Sequence, residues 1–171
     1  MKFFITLAAL ACLVSLVIAD IATVLRDVDD VNAKLAVLNK SLQSSDGTNY
    51  IADLAVGGDV DKLVTSLNKA TKDIGAMRVV SVAQADQVLS KLQVSKRTAT
   101  IAINRLIAIK PNYQKAMVLG LVQGHVSKMA TAVNTFANAA VAKTPAARKA
   151  KAIALKNAIV ADITRGQKAY A

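Results

Sequence analysis

The spacing of apolar residues between positions 81 and 142 constrains this chain more than any other feature. Ser81 and Gln84 have the spacing of a helix capping box. After them, apolar residues recur at steps of three and four, and a second stripe of the same kind follows Tyr113. This period places them on one face of an α-helix. We predict two long amphipathic helices joined at 109–111, because Pro111 disfavours the helical conformation in the residue before it. Neither helix can bury its stripe alone, so other helices must cover both.

The same spacing predicts three further helices. Residues from Val24 to Leu42 recur at steps of four and three, and a second helical region spans about 48–77. We expect a kink or short break at Gly57-Gly58, since each glycine costs about 1 kcal/mol in a helix interior, with Asp59 able to cap a fresh start. Thr144-Pro145 suits the start of the last helix. The predicted fold is all-α: a single bundle of about five amphipathic antiparallel helices without disulfides.

Residues 1–19 have the layout of a secretory signal peptide. A lysine is followed by an apolar run from Phe3 to Ile18, and Ala19 precedes a plausible cleavage point. A membrane anchor is the alternative, but the run is shorter than the roughly 20 residues that usually span a bilayer. We therefore expect a secreted domain of residues 20–171 with no transmembrane segment. The only cysteine, Cys12, would be removed with the signal peptide.

Charge is distributed unevenly along the chain. The formal net charge is +11, and residues 91–171 contain fourteen Lys or Arg against one Asp. Such a half attracts anions. We do not expect nucleic-acid binding, because the basic residues are scattered and the few aromatic residues do not interleave with them.

The residues that enzymes need are scarce. After residue 19 there is no Cys and no Glu, and His125 is the only histidine. Ser127 is two positions away and therefore points from a different side of the same helix. The aspartates at 27–30 and 59–61 lack the glycine, spacing and terminal Glu of a calcium loop. We predict no catalytic residues, no metal site, no cofactor and no enzymatic activity.

Two glycines, Gly120 and Gly124, lie one turn apart on one face of the predicted fourth helix. They favour a close helix crossing. The alternative is that the missing side chains leave a channel for an acyl chain beside adaptable methionines. Asn39-Lys40-Ser41 is an acceptor triplet for N-glycosylation.

Several short motifs, taken in order, resemble the hydrophobic surface-binding protein A family of fungi. They are Arg26-Asp27-Val28 before the leucine repeat, the helix opening at 81–86, the segment at 110–113, and 143–145 before a last helix that ends at Tyr170. This family includes cell-wall mannoproteins of the galactomannoprotein type. The resemblance implies a small secreted helical domain that adsorbs to hydrophobic surfaces, and some relatives bind fatty acids between the helices.

From the resemblance and the stripes together, we hypothesise a secreted binder of fatty acids, other lipids or hydrophobic surfaces. The candidate lipid-contacting residues come from the third and fourth stripes: Leu92, Ile103, Leu106, Met117, Gly120, Leu121, Gly124, Met129, Val133 and Phe136. Arg97 and Arg105 are candidates for the carboxylate head group.

Two other hypotheses remain open. One is a structural or antigenic cell-wall mannoprotein with a fully packed core, retained on polysaccharide by charge. The other is a cationic effector that acts on membranes. Because the chain stops at Ala171 without a Ser/Thr-rich tail, we expect a freely secreted form rather than one anchored in the wall.

Overall fold

The computed structural model describes residues 20–171, so the predicted signal peptide lies outside the described residues. These residues form five helices and no strand, which confirms the predicted fold class. None of these helices is both long and apolar enough to cross a membrane. The helices are α1 (Ile21–Ser44), α2 (Tyr50–Ala76), α3 (Val82–Lys115), α4 (Leu119–Lys143) and α5 (Ala146–Tyr170).

Local sequence signals explain where the first three helices begin. The Asp20 carboxylate accepts a hydrogen bond from the Thr23 amide at 2.7 Å, and the Asn49 side chain caps α2 in the same way. Ser81 and Gln84 form the predicted capping box at the start of α3. Each side chain satisfies an amide that has no partner within the first turn of a helix. Neither α4 nor α5 has a side-chain cap.

The predicted boundary at Pro111 is wrong, because α3 continues through it to Lys115. Tyr113 supplies the physical reason: it is 1% exposed and lies against the Gly47 turn. The Asn112 side-chain amide also donates to the Asp46 carbonyl at 2.5 Å. These contacts require one more helical turn, and they offset the backbone hydrogen bond that a proline removes. The helix ends at Lys115, and two residues later Met117 has a φ of +58°, which turns the chain away.

The helix break considered at Gly57-Gly58 does not occur, since α2 is continuous from Tyr50 to Ala76. Gly57 is the point where His125 of α4 packs against α2. Asp59 caps no new helix and instead accepts from the Ser41 hydroxyl at 2.7 Å and the Lys62 ammonium at 3.1 Å. The glycine therefore makes room for a neighbouring helix.

The five helices pack as a closed ring in the order α1, α2, α4, α5, α3 and back to α1. Consecutive helices run in opposite directions, as predicted, but sequence order is not packing order. Within residues 20–171, α2 does not approach α3, and α3 meets α4 only slightly. Parallel pairs result, such as α1 with α3, where Ser95 donates to Asn32 at 2.6 Å.

Candidate functional site

The ring leaves its centre without a helix. Neighbouring helices pack at about 8–10 Å, so helices across a five-membered ring are about 15 Å apart. In the described part of the chain, the only Cα pairs within 8 Å between helices across the ring join α3 to α4, which a short link connects. Side chains from one helix therefore cannot interdigitate fully with those of the opposite helix, and space remains along the axis.

This space is an apolar cavity of about 180 Å³. All five helices contribute to its wall, for example through Leu35, Leu63, Leu92, Met129 and Ile159. One water molecule needs roughly 10–15 Å³ by the same measure, so the volume of the cavity is about twelve times the larger of these values. A cavity with such a lining offers water few hydrogen bonds and suits an apolar guest.

The cavity reaches the surface between the first turns of α2 and α4. Leu54 and Leu121 both line it, yet they are 46% and 47% exposed. We call the gap between these two leucines the mouth. Ile51 and Met117 lie at the same end of the ring and are exposed as well. Within residues 20–171, Leu54 and Leu121 are the only lining residues classed as exposed, and this apolar rim is the natural entry for an apolar chain.

Most of the predicted lipid-contacting residues lie at this cavity. The seven that line it are Leu92, Ile103, Leu106, Leu121, Met129, Val133 and Phe136. The helix stripes also predicted inward faces for α1, α2 and α5. Sequence reasoning nevertheless placed the site on α3 and α4 alone, because no local signal shows that all five faces surround one space.

Met117, Gly120 and Gly124 lie away from the cavity. Met117 is 89% exposed in the link between α3 and α4, because α3 extends past Pro111 and moves the link to that position. No other atom would lie within 4 Å of a Cβ added to Gly120 or Gly124. The predicted helix crossing at these glycines is therefore wrong, and no channel wall forms there.

Neither arginine predicted for the head group faces the cavity. Arg97 is exposed on the outer side of α3. Arg105 donates from Nε to the Leu42 carbonyl at 3.0 Å and from Nη2 to the Ser45 carbonyl at 2.5 Å. It thus satisfies carbonyl groups that the end of α1 leaves without partners.

The cavity wall contains three lysines that sequence reasoning did not select: Lys96 of α3, Lys143 of α4 and Lys156 of α5. Lys143 donates to the Met77 carbonyl, which leaves Lys96 and Lys156. In residues 20–171 neither ammonium forms an ion pair or donates a hydrogen bond. The ion pairs of these two helices use Lys91, Arg148 and Arg165 instead. The only signal in the sequence was the position of each lysine beside an apolar stripe.

His125 lines the cavity one turn from Leu121. Its Nδ1 is 3.8 Å from the Asp61 carboxylate and has no hydrogen-bond partner among the described residues. Across the cavity, burial raises the pKa of the Tyr113 phenol, which keeps it neutral. No cluster of three or more potential metal ligands occurs within residues 20–171.

The glycosylation candidate Asn39 lies in α1 and is half-buried. Its Oδ1 is enclosed without a hydrogen-bond partner in the described chain, and Ser41 of the same triplet donates to Asp59. In the folded protein the Asn39 oxygen is therefore shielded from solvent, and the Ser41 hydroxyl faces α2.

A family model described as hydrophobic surface binding protein A matches residues 21–142. That range covers α1 to α4, nearly to the end of α4, and leaves α5 outside. No curated protein matches the chain.

Solved structures show the same fold at low sequence identity. The crystal structure of AFMP4P in complex with palmitic acid is 20% identical, with a TM-score of 0.84 over 89% of this chain and 100% of that one. Ligand-binding domain 2 of Penicillium marneffei MP1, complexed with multiple arachidonic acids, is 18% identical, with a TM-score of 0.83 over 89% of this chain and 96% of that one. Domain 1 of MP1, complexed with arachidonic acids, is 14% identical, with a TM-score of 0.80 over 85% and 95% of the two chains.

Proposed function

The chain belongs to the hydrophobic surface binding protein A family, and from that premise we propose that it binds a long-chain fatty acid inside its ring of five helices. The observation that carries the proposal is the apolar cavity of about 180 Å³ with its mouth between Leu54 and Leu121. The alternative hypothesis, a cell-wall protein with a fully packed core, predicts no such cavity. Palmitic and arachidonic acids occupy structures of the same fold, which supports the same ligand class here.

Burial of the acyl chain would supply most of the binding energy. Removing each CH₂ group from water contributes about 0.8 kcal/mol. The cavity wall contributes few polar groups, so the acyl chain would meet little competition from bound water. The proposed role is therefore binding rather than catalysis.

Native mass spectrometry of delipidated residues 20–171, titrated with palmitic acid, tests the proposal. We expect a saturable adduct with the mass of the fatty acid. We also expect a higher melting temperature, since a ligand at 100 times its Kd adds about 2.7 kcal/mol to the free energy of unfolding. An unchanged mass and melting temperature at saturating palmitic acid would exclude an internal site.

Adsorption to hydrophobic surfaces is a second candidate function, favoured by the exposed apolar residues at the mouth. Ile51 and Met117 are 77% and 89% exposed. We expect I51S/M117S to adsorb less to polystyrene than the unaltered protein. V94S/I101S, which removes two exposed apolar side chains from the middle of α3, is the matched control. Equal adsorption of the two variants would exclude the mouth as the contact.

We further propose that residues 1–19 direct secretion and are then removed, leaving one binding domain of residues 20–171. The apolar run before Ala19 and the family membership support this. N-terminal sequencing of protein from the culture medium should begin at Asp20. A medium that lacks the protein, or a start at Met1, would contradict it.

A further inference from the structure

We infer that Lys96 and Lys156 form the head-group site of the cavity. An anionic head group then lies between α3 and α5, about halfway along these two helices, and the acyl chain fills the axis of the ring. We call the line of contact between α3 and α5 the seam. This inference rests on the proposed function. It assigns the polar part of the site to residues on two helices, and Lys156 lies beyond residues 21–142, the range that the family model matches.

The register of α3 and α5 brings the two lysines to the same level. Asp86 pairs with Arg148, and Thr100 donates to Asp162 at 2.6 Å, so facing residues differ by 62 positions. Lys96 and Lys156 differ by 60 positions. At 1.5 Å per residue, their Cα atoms are therefore offset by only about 3 Å along two parallel helices. Both lysines line the cavity, so both flank one part of its wall.

The chemistry of lysine explains how it can belong to an apolar wall. Its aliphatic stem packs against apolar surface while the ammonium stays at the edge, in contact with water. Both residues are half-buried, as this arrangement requires. The seam therefore has an apolar interior and a cationic outer edge, the polarity that an amphiphile with an anionic head needs.

The two ammonium groups also lack partners in the described chain. Two ammonium groups that turn to the same head group would repel each other, and a bound carboxylate would offset that repulsion. A carboxylate accepts short, charge-assisted hydrogen bonds from ammonium groups. No other lysine on the wall offers this, since Lys143 already donates to the Met77 carbonyl at one end of the ring.

The nearest acidic group does not occupy the site. Asp162 also lines the cavity, but it accepts from Thr100 and from Arg165, at 3.2 Å from Nη2. It lies six residues beyond Lys156, about 9 Å along the helix axis. Its charge therefore disfavours a carboxylate on that side and directs the head towards the lysines.

Two ligands that differ only in the head group test this assignment: palmitic acid and 1-hexadecanol. The test variant is K96Q/K156Q, and the matched control is R97Q/K151Q, which removes the same charge from exposed positions on the same two helices. Affinities are measured by competition in native mass spectrometry, with helicity checked by circular dichroism.

We expect K96Q/K156Q to bind palmitic acid at least about tenfold more weakly, as loss of hydrogen bonds to a charged group implies, and to bind hexadecanol as before. The control should bind both ligands like the unaltered protein. Equal palmitic acid affinity in the two variants would overturn the lysine site while leaving the fatty-acid function intact. A matching loss for hexadecanol would also overturn it, because it would indicate altered packing. If the unaltered protein bound neither ligand, the proposed function itself would fail, and the lysine site with it.

Discussion

His125 and Gly57 are in direct contact: the imidazole Nε2 lies 2.8 Å from where a Cβ atom on Gly57 would stand. Real Cβ atoms do not come so close to another heavy atom, so the contact requires glycine or a shift of the ring. It joins the first half of α2 to α4 one turn inside the mouth. The adjacent Gly58 has open space around it.

This pair makes the two glycines a matched test. Alanine is about 1 kcal/mol better than glycine in a helix interior. Gly58→Ala should therefore raise the free energy of unfolding by up to about that amount. Gly57→Ala gains the same propensity but must displace His125, so we expect it to be less stable than Gly58→Ala. Urea unfolding measures both.

A second substitution identifies the cause. If His125 is the obstacle, Gly57→Ala should raise the free energy of unfolding of the His125→Ala variant by as much as Gly58→Ala does. Equal stability of the two single glycine variants would show that the imidazole moves away without cost.

Leu121 should control entry to the cavity. It lines the mouth and is half-exposed, so Leu121→Trp places a large side chain across the opening. We expect slower uptake of palmitic acid and weaker binding, measured by native mass spectrometry. Ile101→Trp is the control, because Ile101 is exposed in the middle of α3, far from the mouth, and lies outside the cavity wall. Unchanged uptake by Leu121→Trp would place the entry elsewhere on the ring.

Arg105 should act on stability rather than on ligand binding. Its guanidinium donates to two carbonyl groups at the end of α1. Hydrogen bonds to charged groups contribute about 1.5–3 kcal/mol, so Arg105→Gln should lower the free energy of unfolding by about 2 kcal/mol. The Kd for palmitic acid should stay the same. Arg97→Gln, at an exposed position, is the control and should change neither quantity. If Arg105→Gln raised the Kd for palmitic acid and Arg97→Gln did not, Arg105 would belong to the head-group site.

The ion pair between Asp86 and Arg148 should make stability depend on acid pH. Nε and Nη2 of Arg148 donate to the two carboxylate oxygens at 2.7 and 2.9 Å, and these bonds hold the pKa of Asp86 below its usual value of 3.8. A lowered folded-state pKa stabilises the fold above the unfolded-state pKa, and this contribution is lost as the pH falls through the folded-state pKa.

Asp86→Asn should therefore lower the melting temperature at pH 6, and the difference from the unaltered protein should shrink below about pH 4. The effect should be small, because both side chains are more than one-third exposed and solvent screens the pair. In an Arg148→Gln background, Asp86→Asn should have little effect at any of these pH values. A difference that stays constant from pH 6 to pH 3 would contradict this account.

Periodicity predicted most of the helix faces correctly, because burial follows a local rule. The residues Val24, Val28, Val31, Leu35, Leu38 and Leu42 are all buried, as their spacing predicted. The capping box at Ser81 was confirmed for the same reason, since both of its hydrogen bonds form within four residues. The predictions that failed depended on distant contacts. Pro111 and Gly57 both looked like interruptions, yet the burial of Tyr113 and the approach of His125 keep those helices intact.

The sequence by itself determined that this chain forms amphipathic helices that must cover one another. Only the tertiary structure decided the order in which they close the ring, and therefore that their apolar faces surround a space instead of filling it. It also decided that Lys96, not its neighbour Arg97, lies at the cavity wall. The physical reason is that the spacing of a stripe specifies an inward direction on one helix. What a helix faces inside the ring depends on side chains from helices that are distant in the sequence, and no local pattern specifies them.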